Sequence, residues 1–343
     1  MRAALLSLCL MACACAWAQS PHAWRASTPQ EQPLDAAAFD GFDKRIEDDM
    51  GDVQSLVVVL KGRTLYEYYR DRNPDTLRDA QSVTKSALAL LVGAMLQRGA
   101  LASIDQPVVE LMLDWAPLNA DARARAITLR HLLAMTPGFD IHDATGTAPP
   151  LAPALAWARP LRAAPGEQFA YDNSSPVMVT AILERASGRP VADLVQEYLV
   201  VPLGMKPPSY RRGSAYMRTA DMARLGHLLW LKGEWEGRAV LPAGFAAQVV
   251  KPESAGGPPA GRPYGLYWWI AAGPTFFASG YAGQAILVHA PSGLVVAVTS
   301  TVSPQSQQRN QAMRLARVDV FEAVQRRLAP VPASASASEP AGR

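Results

Sequence analysis

Between Ala87 and Leu96 the chain runs through an almost continuous apolar stretch. Read as a helix it is apolar on every side, and a helix with no polar face has to lie inside the molecule. The fold must therefore wrap a central helix in further layers. The chain has the material for this: 343 residues, 49% of them apolar, can fill a sizeable core. Asp79 is placed to cap this helix near Ala80, and Gly99 to stop it.

The outer layers come from both ends of the chain. Ser55 to Leu60 and Thr64 to Tyr69 are β-branched and aromatic runs around Lys61-Gly62-Arg63, which predicts a β-hairpin. Toward the other end, Tyr264 to Ala271, Thr275 to Ser279, Gln284 to His289 and Leu294 to Thr299 are short apolar runs separated by Gly or Pro turns. From residue 82 to about 250, helical periodicity dominates. The expected class is α+β: one antiparallel sheet drawn from both chain ends and flanked by helices, with a mostly helical region inserted. A closing helix from about Gln308 to Leu328 covers that sheet. No repeat of roughly 20–50 residues is visible, which argues against a solenoid or propeller.

The termini read differently from the body. Residues 1–18 have a basic start at Arg2, an apolar run from Ala3 to Trp17 and small residues at Ala16 and Ala18, the pattern of a secretory signal peptide. The run is short for a membrane anchor, so the mature chain is expected to be exported, periplasmic or secreted, without membrane insertion. All three cysteines, Cys9, Cys13 and Cys15, fall in this segment. Leu10-Met11-Ala12-Cys13 loosely resembles a lipoprotein processing site, making a lipid anchor at Cys13 the secondary alternative. Residues 19–33 read as a linker and 331–343 as a disordered Ala/Ser/Pro tail, leaving 34–330 as the folded domain. A net charge of +3, from 33 basic and 30 acidic residues with no dense basic block, gives no footprint for nucleic acid.

Ser82 opens Ser82-Val83-Thr84-Lys85 in the first turn of the apolar helix. Unpaired backbone N–H groups and the positive end of the helix dipole favour an oxyanion forming there. Lys85, three residues on, shares a helix face with Ser82. A lysine takes a proton from serine only when neutral, and burial disfavours a charged amine. On its own the spacing is weak, since about one Ser-x-x-Lys arises by chance in a chain of this length.

Two downstream segments add weight. Tyr171-Asp172-Asn173 follows a turn and precedes a helical run. A phenol between serine and lysine relays a proton, and an Asn amide holds either a substrate carbonyl or the lysine. In Ala278-Ser279-Gly280-Tyr281, glycine at a strand edge lets backbone approach a ligand, and an N–H there completes an oxyanion hole with that of Ser82. The bland alternatives are a surface tyrosine with a capping asparagine, and an ordinary hairpin. There is no G-x-S-x-G elbow, and His22, His131, His142, His227 and His289 lack metal-ligand spacing. Neither metal nor cofactor is expected.

Ser82-Val83-Thr84-Lys85, Tyr171-Asp172-Asn173 and a glycine-bearing strand, in that order, resemble the serine β-lactamase and penicillin-binding superfamily. The Tyr-x-Asn form is similar to its class C β-lactamase, esterase and D-aminopeptidase branch. Thr219 to Gly226 together with Gly280 to Gln284 is similar to the 6-aminohexanoate-dimer hydrolase subgroup. The resemblance spans nearly all of residues 50–325. It implies a β-lactamase/transpeptidase-like fold and acyl transfer to water. Ser82, Lys85 and Tyr171 are then catalytic, and Asn173, Ser279, Gly280 and Tyr281 contact the substrate or oxyanion. The implied partner is a small amide or ester. Ala278 stands where lactamases and peptidases of the superfamily carry a lysine that meets the substrate carboxylate. Its loss removes a charge-assisted bond worth about 1.5–3 kcal/mol, which ranks esterase or amidase above β-lactamase or D-Ala-D-Ala peptidase. The same loss motivates an alternative of another class, a binding or sensor module that does not turn over.

Overall fold

The computed structural model describes residues 25–26, 39–141, 148–302 and 311–324. The expected signal segment, His142, most of the expected linker and the 331–343 tail lie outside the described residues.

Fourteen strands are found among the described residues: β1 (Arg25–Ala26), β2 (Val53–Leu60), β3 (Arg63–Tyr69), β4 (Arg78–Asp79), β5 (Ser209–Arg211), β6 (Ser214–Met217), β7 (Glu234–Trp235), β8 (Arg238–Ala239), β9 (Ser254–Gly257), β10 (Arg262–Tyr264), β11 (Trp269–Ile270), β12 (Thr275–Ser279), β13 (Ala285–His289) and β14 (Leu294–Ser300). Nine form the main sheet in the order β1-β3-β2-β14-β13-β12-β11-β10-β9. All its pairings are antiparallel except that of β1 with β3. The sheet is thus drawn from both chain ends as expected, with β2 seated directly on β14. Lys61 and Gly62 both have positive φ, 49° and 78°, which closes the β2–β3 hairpin in two residues.

Side-chain alternation divides the sheet into two faces. Leu56, Val58, Leu60, Leu287, Val296 and Val298 pack with Ile46 of the helix Phe42–Asp49 and with Leu315, Val320 and Phe321 of the helical stretch 311–324. This stretch is the described part of the expected closing helix. Val57, Val59, Ile286, Val288, Val295 and Ala297 point the other way, into the core shared with the inserted helical region. The helix Thr219–Trp230 lies directly on this face at Gly226, where an added Cβ would come within 2.7 Å of the Ile286 side chain. The apolar helix runs from Val83 to Gln97 and is buried among these elements, and Gly99, at φ 69°, ends it.

One expectation about the sheet needs correction. Tyr264 to Ala271 is not one strand: Gly265 N–H donates to Trp268 O, and Tyr267 has a φ of 57°. The chain turns inward there because Tyr267 N–H reaches Leu133 O and its carbonyl accepts from Ser86 Oγ. The inserted region also holds two small sheets, β4-β6-β5 and β7-β8. Finally, Arg25–Ala26, within the stretch read as linker, pairs with Arg63 and Thr64.

Candidate active site

The turn before the Ser82 helix is held from several sides. Ala80 N–H donates to Ala215 O at 2.9 Å, tying the turn to β6. Asp79 does not cap the helix, contrary to expectation. Its carboxylate instead accepts Gln81 N–H at 2.9 Å, Gln81 Nε2 at 2.6 Å and the Ser214 hydroxyl, and so fixes Gln81 at a φ of 49°. A side chain at positive φ is uncommon and needs this kind of local support. The N-cap is Ser82 itself, and its hydroxyl makes no capping bond. Ser82 N–H donates to no group among the described residues. One turn on, Thr84 Oγ1 accepts Ala215 N–H at 2.9 Å.

Lys85 is only 7% exposed, and its ammonium donates at 2.9 Å to Ser82 Oγ and at 2.9 Å to Asn173 Oδ1. Asn173 is anchored in turn by its Nδ2, which donates to Ala148 O at 2.8 Å. The ammonium also lies 5.0 Å from the centre of the Tyr171 ring. Tyr171 is buried and stacks on Trp269 with centroids 6.0 Å apart and planes 11° from parallel. No hydrogen bond joins its phenol to Ser82 or Lys85 among the described residues, so the tyrosine meets the lysine through its ring. Between the two, Asp172 points away. It accepts Ser174 N–H at 2.8 Å at the start of the helix Ser174–Ser187 and pairs with Arg159. The triplet thus puts alternate residues to the site and one to the scaffold. Behind it, burial pushes the Tyr264 and Tyr267 phenols well above their ordinary range and keeps them protonated.

On β12, Ala278 is fully buried on the face toward the Ser82 helix, so no cation stands at that point of the strand. Gly280 is required by contact. A Cβ there would lie 2.8 Å from Ala80 O and 2.9 Å from Gln81 Cβ, which would push the strand away from the Ser82 turn. Gln284, which sequence reasoning passed over, is fully buried. Its amide donates to Tyr281 O at 3.2 Å and to Ser300 O at 2.9 Å, while its Oε1 accepts Ser300 N–H at 2.9 Å. It pins the Tyr281 loop to β14.

Ser82, Lys85, Asn173 and Tyr281 line one cavity of ≈ 780 Å³. Tyr171, Ser279 and Gly280 lie outside its lining. The described histidines stand elsewhere: His131 Nδ1 accepts Thr128 N–H at a helix start, His227 packs on Trp230 and Trp235, and His289 bonds Ser292.

The Beta-lactamase family model matches residues 42–319. The chain belongs to the β-lactamase family. Members of this family are serine hydrolases, and its fold is the β-lactamase/transpeptidase-like one expected from the motif order. Among curated proteins, this β-lactamase-family chain is 32% identical over 178 residues to esterase EstB of Burkholderia gladioli, covering 44% of this chain and 45% of the esterase. It is 27% identical over 189 residues to the D-alanyl-D-alanine-carboxypeptidase/endopeptidase AmpH of Escherichia coli, covering 50% and 49%. The matches thus span about half the length of these relatives. A solved Bacillus anthracis structure provisionally named a 6-aminohexanoate-dimer hydrolase superposes with a TM-score of 0.66 at 20% identity, over 82% of each chain.

Proposed function

We propose that the chain is an exported serine hydrolase that cleaves an ester or amide through an acyl-enzyme on Ser82. The carrying observation is the Lys85 ammonium, held at 2.9 Å from both Ser82 Oγ and Asn173 Oδ1 at the wall of a cavity. In its neutral form Lys85 takes the Ser82 proton as Oγ bonds to the substrate carbonyl carbon. The oxyanion is stabilised by the N–H of Ser82 and that of Tyr281, each such donor being worth about 3–4 kcal/mol. The carbonyl then re-forms and the bond to the leaving group breaks. The proton passes by way of Tyr171 to the departing oxygen or nitrogen, and Tyr171 next activates the water that releases the acid. Of the two roles open to Asn173, holding the lysine is supported by its 2.9 Å bond to Lys85 and its anchoring on Ala148 O.

The buried Ala278 in the third motif supports an ester or amide over a β-lactam or D-Ala-D-Ala peptide, since no lysine there meets a substrate carboxylate. The signal pattern at residues 1–18 supports export to the periplasm or beyond. No helix among the described residues is long and apolar enough to cross a membrane.

The test is labelling with a fluorophosphonate followed by mass mapping, together with a panel of p-nitrophenyl esters, short amides and nitrocefin. Label on Ser82 with turnover of an ester or amide is expected. Label that persists in Ser82→Ala sinks the mechanism, and nitrocefin hydrolysis as fast as the best ester moves the activity to β-lactams.

A further inference from the structure

The ≈ 780 Å³ cavity extends well past the reacting groups. Its wall is made by Leu88 from the nucleophile helix, Val177 from the helix Ser174–Ser187, and Val191, Val195, Leu199 and Met205 from the segment beyond. The volume falls in the range of about 300–1,000 Å³ typical of small-molecule sites, and a short acyl group such as acetyl would leave most of it empty. The rim is apolar too: Tyr281, Tyr210 and Val302 line the cavity and are 38%, 44% and 44% exposed. Three of the chain's exposed large apolar side chains thus gather at one opening, whereas such residues are ordinarily scattered singly.

Among the described residues the lining contains no aspartate or glutamate, and its cations are Lys85 and the exposed Arg212. An ammonium carried deep into this space would have no carboxylate to meet, and burying an unpaired charge is costly. The occupant's inner part is therefore uncharged.

On the acyl-enzyme reading above, the leaving group departs beside Tyr171, the acid that protonates it, and Tyr171 stacks on Trp269 outside the cavity lining. The part that fills the cavity is then the part retained on Ser82. Resting on the acyl-enzyme reading above, we infer that the cavity is an acyl-chain pocket, and that the preferred substrates are esters or amides of uncharged medium-chain fatty acids.

The test uses the full chain with p-nitrophenyl acetate, butyrate, hexanoate and octanoate, and with the 6-aminohexanoate ester as the charged counterpart. kcat/KM should rise by about fourfold per added methylene. The 6-aminohexanoate ester should fall at least tenfold below hexanoate, about the discrimination expected for an unpaired buried charge. Val195→Trp, which fills the pocket, should lower the octanoate-to-acetate ratio by about tenfold or more. A flat or falling profile along the series, or a preference for the amino-terminated chain, overturns the inference while leaving the hydrolase reading intact. If neither an ester nor an amide is turned over, the hydrolase reading falls by itself, and alkyl boronic acids scored by thermal shift decide the pocket. An octyl group that protects no better than a methyl then overturns it.

Discussion

The two faces of the main sheet are built from the same strands but filled differently. On the face toward Phe42–Asp49 and 311–324, the core is Leu56, Val58, Val296, Leu315 and Phe321, apolar groups packed on one another, with the Arg45–Asp319 ion pair beside them. On the opposite face, buried polar groups recur: Ser55 bonds the hydroxyls of Thr219 and Thr299, Asp221 lies between Arg218 and Arg224, and Lys85 reaches Ser82 and Asn173. Buried polar networks hold their members in fixed geometry but lose heavily when broken. One face therefore supplies stability, and the other gives up some of it to keep reactive groups in register.

The largest test of that division is Ser82→Ala. Ester turnover should fall by about 10⁴-fold or more, while the melting temperature changes little, because no capping bond is lost and Lys85, losing Ser82 Oγ, keeps Asn173 Oδ1. A clear loss of stability would break the comparison. Asp221→Asn should cost about 3–5 kcal/mol in urea unfolding, because the buried Arg224 loses the Asp221 carboxylate and Arg218 keeps only Asp75. Leu315→Ala should cost about 2–5 kcal/mol while kcat/KM per folded molecule stays the same. A matching drop in kcat/KM would show that the closed face tunes the site after all.

The smallest effect concerns pH. Burial, and then the neighbouring Arg130, hold the His131 imidazole below its ordinary range, against the opposing pull of Asp105 and Glu253. Its Nδ1 accepts Thr128 N–H, which requires the neutral ring. The unfolded chain therefore takes up a proton first as pH falls. The stability contribution is complete above about pH 6.5, is lost as pH drops toward the depressed folded value, and is level below it. The urea midpoint should slip over this window, and the slope should shrink in His131→Asn.

Much of this was legible locally. The apolar helix, its stop at Gly99, the Lys61-Gly62 hairpin and the order of Ser82, Lys85, Tyr171 and Asn173 all follow from short-range pattern. What escaped depends on partners far along the chain. Asp79 looked like a helix cap because caps are written in three or four residues, whereas its actual duty involves Gln81 and the distant Ser214. Gln284 reads as one polar residue beside a glycine, and only β14 turns it into an anchor. Tyr267 sits in an apolar run that reads as strand, and Leu133 and Ser86 pull it out of line.

The seating of β2 on β14, with Ser55 opposite Thr299, also has a meaning in time. Synthesis delivers Ser82 and Lys85 early, but the strand beside the first hairpin and the Gly280–Gln284 wall come some two hundred residues later. Contacts so far apart close slowly and cannot close before both partners exist. A half-made chain is thus chemically silent: it has its serine and its lysine but neither the sheet nor the loop that aligns them. For a serine hydrolase the topology itself is a safety catch, releasing reactivity only once the whole chain has been made.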